Sequence, residues 1–242
     1  MITYINADTI PEDDYHRKKG ILMKTAAVIL AGCGQADGSE IQESVSALIA
    51  LSKYNIDYDC FSVDAEQKDV IDHLKKEPSN GKRNLLVEAA RIARGKIRDI
   101  SLLDPNDFDA LIIPGGYGIA KNLFTYAADG IDGIVIDPVR EVIQSFYEMN
   151  KYIGAICISP IMVAMALKDD VTGLRVTPGF AAKAAADLES IGAVPVPLPS
   201  DEICVDEMNN IVTAAAYMNG NVSLYEVYTG IDKLVKYISE KI

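Results

Sequence analysis

The chain has 242 residues, and 35 Asp and Glu against 23 Lys and Arg leave a formal charge of −12. That balance, with no basic cluster beyond Arg17-Lys18-Lys19, argues against nucleic acid and anionic membrane as partners. Apolar residues at 49% and charged residues at 24% are ordinary for a globular protein in water, and no apolar run approaches the roughly 18–20 residues of a membrane span.

Residues 1–23 read as an appendage, polar and then basic, that packs loosely or extends an interface. Their Asp8, Glu12, Asp13 and Asp14 fit neither a signal peptide nor an acid-poor transit peptide. From Lys24 the pattern changes. Thr25–Gly32 is a continuous apolar run of strand length, as expected of a strand buried on both faces. Ile41–Lys53 repeats apolar residues at helical spacing. Tyr58–Val63 predicts a strand, Asn84–Arg94 a helix, and Ala110–Pro114 a buried strand ending in Gly115-Gly116. Helical segments follow around 119–128 and 138–149, then a strand over 152–157. Ala181–Ile191 predicts a helix, and Pro195–Pro199 is broken by prolines. Ile203–Val205 and Ile211–Ala214, joined through Asp206–Asn210, predict a hairpin, and Asn221–Ile242 a closing amphipathic helix. Alternating strands and helices imply right-handed crossovers and a mostly parallel sheet covered on both faces. With no repeat, linker or low-complexity tract, residues 24–242 form one expected domain.

Ligands of such sheets bind where loops leave the carboxyl ends of strands, and three loops stand out. The first, Gly32 to Glu40, suggests a helix cap in which Ser39 and Gln42 form an S-x-x-Q box. In its functional reading Glu40 leans over the strand ends and shares a proton with a nucleophile, with Glu43 one turn later as rival. The second, Pro114-Gly115-Gly116-Tyr117-Gly118, is either a tight turn needing positive φ or a bare backbone whose N–H faces a substrate oxygen. In the third, Gly-Ala-Ile-Cys-Ile-Ser-Pro over 154–160, an apolar strand turns sharply into a helix at Cys157. A cysteine there is either a small buried hydrophobe or a nucleophile kept as thiolate by the first N–H groups of the helix. The other cysteines, Cys33, Cys60 and Cys204, lie far apart with no C-x-x-C pair. Zinc and a secreted disulfide framework are therefore not expected, and a reducing cytoplasm is.

Together the stretches GCGQADGSEIQESV (32–45), RNLLVEAARIARG (83–95), DALIIPGGYGIAKNL (109–123), GAICISPIM (154–162), NNIVTAAAYM (209–218) and GIDKLV (230–235) resemble the DJ-1/PfpI superfamily, relatives of the class I glutamine amidotransferases. More narrowly they resemble its ElbB branch, described as glyoxalase-like and once linked by name to isoprenoid biosynthesis. The resemblance implies a flavodoxin-like three-layer α/β sandwich, a homodimer, and a cysteine paired with a glutamate from the loop after the first strand. On this chain the cysteine is Cys157 and the glutamate Glu40, with Gly116 and the Ile158 N–H as oxyanion hole. The superfamily often places a histidine after the cysteine or further downstream, but Ile158 follows here, and His16 and His73 both precede it. His73 lies in a charged stretch and reads as a solvated helix residue. Glutamine hydrolysis and papain-like proteolysis, which need an imidazole, are thereby excluded.

The expected activity is a cofactor-free and metal-free, glutathione-independent glyoxalase acting on a small aldehyde or dicarbonyl. Its competitor is a redox or carbonyl-stress sensor built on an oxidation-prone Cys157, with Cys33 as resolving thiol. Flavin or nucleotide binding at the first loop is disfavoured, since Asp37 and Glu40 would repel a phosphate.

Overall fold

The computed structural model describes residues 23–242. Along the chain, β1 (Lys24–Ile29) leads to α1 (Ile41–Lys53) and β2 (Ile56–Ser62). A ribbon of β3 (Ile71–Asp72) and β4 (Glu77–Pro78) precedes α2 (Leu85–Ile92), β5 (Ile97–Asp99) and β6 (Ala110–Ile113). Short α3 (Ile119–Asn122) and α4 (Tyr126–Asp129), then α5 (Asp137–Glu148), lead into β7 (Tyr152–Ile156) and α6 (Ser159–Ala166). The rest comprises β8 (Arg175–Val176), α7 (Ala182–Ser190), β9 (Val194–Pro195), the hairpin of β10 (Ile203–Asp206) and β11 (Ile211–Ala214), and α8 (Leu224–Ser239).

Seven strands form one sheet in the order β10-β11-β7-β6-β1-β2-β5. All pairs are parallel except β10 with β11, so the sheet is mostly parallel with a small C-terminal hairpin. The apolar run of β1 explains its central place. Ala26, Val28 and Leu30 pack with Ala47 and Leu51 of α1 and Leu234 of α8. Ala27, Ile29 and Ala31 pack with Ile143 and Phe146 of α5 and Met162 of α6. Side chains alternating between two apolar layers make a strand read as unbroken hydrophobe. Helices therefore cover both faces, giving the three-layer sandwich. At the end of the chain, α8 starts in a full capping box between Ser223 and Glu226.

Some expected boundaries move. The helix expected over 119–128 breaks after Asn122, because Phe124 bridges Val135 and the Thr125 N–H donates to Ile134 O. Edge strand β5, only three residues with a charged centre, carried no strand signal. His73 lies in the turn between β3 and β4 rather than on a helix. One ring nitrogen, Nε2, accepts from the Ala36 N–H at 3.2 Å, and Nδ1 lies 3.1 Å from Ile71 O. The appendage, apart from Met23, lies outside the described residues. No helix among those described is long and apolar enough to cross a membrane.

The topology sets the site. β2 lies on one side of β1 and β6 on the other, so the loops after β1 and β6 diverge at a crevice. The loop after β7 joins them there. These are the three loops singled out by composition.

Candidate active site

Strand β7 ends at Ile156, and the Cys157 N–H still donates to Ala214 O of β11 at 2.9 Å. The backbone then reverses: Cys157 sits at φ +61°. A left-handed conformation at a residue with a Cβ costs roughly 1–2 kcal/mol and persists where surrounding structure enforces it. Enforcement comes from both sides. Pro160 occupies the first turn of α6, where its fixed φ suits a helix start, and the Ser159 hydroxyl donates to Pro114 O at 2.7 Å. The turn lifts the sulfur out of the sheet toward the β6 loop.

Gly115 makes room for it. A Cβ there would lie 2.4 Å from Cys157 Cβ and 2.7 Å from Glu43 Oε2, closer than any side chain is tolerated. Gly116, at φ +121°, follows. The N–H groups of Gly116 and Ile158 both point at the Cys157 sulfur. The two expected oxyanion donors thus both lie beside the thiol.

The carboxyl against the sulfur belongs to Glu43, not Glu40. Glu43 is fully buried and hydrogen-bonds the Cys157 side chain. Its Oε2 accepts from the Gly115 N–H at 3.1 Å and its Oε1 from the Tyr217 N–H at 3.3 Å. Glu40 is instead the N-cap of α1, and its Oε2 accepts from the Glu43 N–H at 2.6 Å. Ser39, expected to cap, faces the other way: its hydroxyl accepts from the Ala31 N–H at 2.9 Å, in the core. With Ser39 held at the strand end, the helix begins one residue later, and the residue three past the cap turns inward over the strand ends. Glu40 also anchors the neighbouring loop, since its own N–H donates to Gly115 O at 2.8 Å. It aims Glu43 rather than touching sulfur.

Burial dominates the protonation of the pair. Desolvation, then the charge of Glu40, push the Glu43 carboxyl up to about 8, against the pull of its three hydrogen bonds. Desolvation, then the charge and hydrogen bond of Glu43, push the Cys157 thiol well above its ordinary value, although the Gly116 and Ile158 N–H groups oppose this. The expectation of a resting thiolate is therefore corrected. The helix N–H groups are present, but in a dry site they are outweighed by burial and by a carboxyl that would repel a second negative charge. Near neutrality the pair is therefore mostly uncharged, and Glu43 is the first of the two to lose its proton as pH rises.

Glu40 itself is raised by burial despite the N–H groups of residues 41 to 43. Cys33 is half-buried among Arg91, Glu88, Asp37 and Arg83 and is free. Tyr217 had no signal in the alanine-rich stretch that carries it; its role is a backbone contact that no side-chain pattern encodes.

Residues 34–221 match the model of the DJ-1/PfpI family. The Homo sapiens protein "Glutamine amidotransferase-like class 1 domain-containing protein 3, mitochondrial" is 39% identical over 224 residues, 88% of this chain and 82% of that protein. The Danio rerio "ES1 protein, mitochondrial" is 30% identical over 230 residues, 88% of this chain and 84% of its own. Among solved structures, an isoprenoid biosynthesis protein with amidotransferase-like domain from Ehrlichia chaffeensis superposes with a TM-score of 0.84 at 40% identity, covering 90% of this chain and 98% of the other. Drosophila melanogaster DJ-1beta, at TM-score 0.54 and 17% identity over 91% of this chain and 90% of its own, shares the fold.

Proposed function

We propose, for a chain that belongs to the DJ-1/PfpI family, a cofactor-independent and glutathione-independent glyoxalase-type activity that converts methylglyoxal or glyoxal to a 2-hydroxy acid. One arrangement supports the reading: the buried Glu43 carboxyl lies against Cys157, with the Gly116 and Ile158 N–H groups beside the sulfur. This arrangement lets a base act without an imidazole.

In the reactive form Glu43 is ionised and Cys157 is a thiol. As the sulfur adds to the aldehyde carbon, the thiol proton passes to Glu43, and the developing oxyanion is held by the Gly116 and Ile158 N–H groups. Glu43 then protonates that oxygen, giving a hemithioacetal. Again a carboxylate, Glu43 removes the hydrogen from the former aldehyde carbon to give an enediolate. It returns that proton to the adjacent carbon while the hydroxyl proton of the first carbon passes to the neighbouring oxygen, leaving a 2-hydroxy thioester of Cys157. Water cleaves the thioester, releasing lactate from methylglyoxal and restoring the thiol. One carbon is oxidised and its neighbour reduced, so no external electron acceptor enters. A carboxyl titrating near 8 suits repeated proton transfer at neutral pH.

The test is methylglyoxal consumption with lactate measured. Cys157→Ala and Glu43→Gln are expected to lose at least about a hundredfold, the usual scale of nucleophile and acid–base contributions. Glu40→Gln, which keeps a capping oxygen, is expected to lose less. Full activity in Cys157→Ala defeats the proposal.

The sensor reading needs a thiolate at rest, which burial beside Glu43 disfavours. A mass increase at Cys157 under mild peroxide, with no dicarbonyl turnover, would favour it instead. Homodimerisation, implied by the resemblance, is supported by exposed Ile41, Val45 and Ile49 of α1 lining one groove with Leu224 and Tyr225 of α8. A reducing cytoplasm is our reading of the four unpaired cysteines; the human and zebrafish relatives are named mitochondrial, and free thiols fit that compartment equally.

A further inference from the structure

The strain at Cys157 has a counterpart across the site. Ala216, a non-glycine residue at φ +45°, opens the 3₁₀ turn Ala216–Asn219 that follows β11. Such a backbone is held only when its surroundings over-determine it, and here they do. On one side, the Ser200 hydroxyl donates to Ala216 O at 2.6 Å. Asn219 Nδ2 donates to Leu198 O at 3.1 Å and to Ser200 Oγ at 3.0 Å, while its Oδ1 accepts from the Phe180 N–H at 2.7 Å. These bonds tie the turn to the loops at 179–180 and 198–200. On the other side stands one side-chain bond, from the Tyr217 hydroxyl to Gln42 Oε1 in the first turn of α1. Between the two, the Tyr217 N–H meets Glu43 Oε1.

We infer that Tyr217 is a positioning residue: its phenol clasps Gln42, drawing the 216–219 turn onto α1 and keeping the Tyr217 N–H on the Glu43 carboxylate. The inference rests on reading Cys157 and Glu43 as the reactive pair. With Oε1 so occupied and Oε2 on the Gly115 N–H, both carboxyl oxygens are held by backbone donors. Gln42 lies one residue before Glu43 on the same turn, so the clasp acts on the segment that carries the base. It touches neither sulfur nor substrate. Losing it loosens a hydrogen bond that favours the ionised carboxyl, so the pair should give up its first proton at higher pH.

The experiment is the pH profile of Cys157 alkylation by iodoacetamide, followed by mass spectrometry between pH 6 and 10 and independent of any dicarbonyl turnover. Wild type is compared with Tyr217→Phe, which keeps the ring, with Gln42→Leu on the exposed face, and with the double variant. Each single variant is expected to move the midpoint upward by about half a pH unit, roughly threefold in rate on the rising limb, and the double variant no further. Unchanged midpoints in the single variants, or shifts that add in the double variant, overturn the clasp. Glu43→Gln separates the clasp from the reactive pair. If it keeps the wild-type profile, the pair itself is misread and the inference falls with it; if it alone abolishes the wild-type step, only the clasp is at stake.

Discussion

Replacing Glu43 by Gln should make the protein more stable at pH 8 while disabling it. The folded protein holds the Glu43 proton up to about pH 8, whereas an unfolded chain releases it near 4.5. Ionisation therefore favours unfolding, and stability falls as pH rises between these values. At about 1.4 kcal/mol per unit, the penalty is roughly 1 kcal/mol at pH 5 and roughly 4 kcal/mol at pH 8. Glutamine escapes it, but its NH₂ must face one of two donors, the Gly115 N–H or the Tyr217 N–H. An orphaned buried donor costs about 1–3 kcal/mol. The two terms have opposite sign and only the first depends on pH. Glu43→Gln should thus be as stable as wild type or up to about 2 kcal/mol less stable at pH 5, cross near pH 6, and be about 1–3 kcal/mol more stable at pH 8. Urea unfolding at pH 5, 6.5 and 8 measures this directly. A difference that stays constant across that range means that the carboxyl ionises as in water, and the buried proton-sharing pair is refuted.

Gly115→Ala would set a methyl group 2.4 Å from Cys157 Cβ; we expect a loss of about 1–3 kcal/mol by urea unfolding with loss of activity, and wild-type values for both would show that the turn is not close-packed. Ser39→Ala removes the buried acceptor of the Ala31 N–H, so about 1–3 kcal/mol should go; a change within error would mean that Ser39 does not hold the strand end. Ile49→Glu places a charge in a groove of about 610 Å³ between α1 and α8 and should convert a dimer to monomer by light scattering; a wild-type monomer, or a variant that stays dimeric, rejects that interface.

Much of the architecture was legible because it depends on which side chains meet water. The runs at 25–32, 110–114 and 152–157 could be unbroken only in strands covered on both faces, and the hairpin at 203–214 carried its own turn. The elbow was legible too, since Ser159-Pro160 directly after an apolar run ends a strand and starts a helix within two residues. Less was visible where a segment is short or answers to a distant partner. β5 is an edge strand of three residues, Phe124 leaves its helix to meet Val135, and His73 is held by the first loop rather than by local periodicity.

The amino-acid order alone determined the two-sided sheet, the crevice at its carboxyl edge and the cysteine standing there, since each follows from hydrophobic periodicity and backbone preference within a few residues. Which of two nearby glutamates meets the sulfur was decided by tertiary structure. Ser39 pairs with the end of β1, the cap passes to Glu40, and Glu43 turns inward. The state of the sulfur also depends on packing: helix N–H groups favour an anion, but burial and the neighbouring Glu43 carboxyl push the thiol up and favour its neutral form.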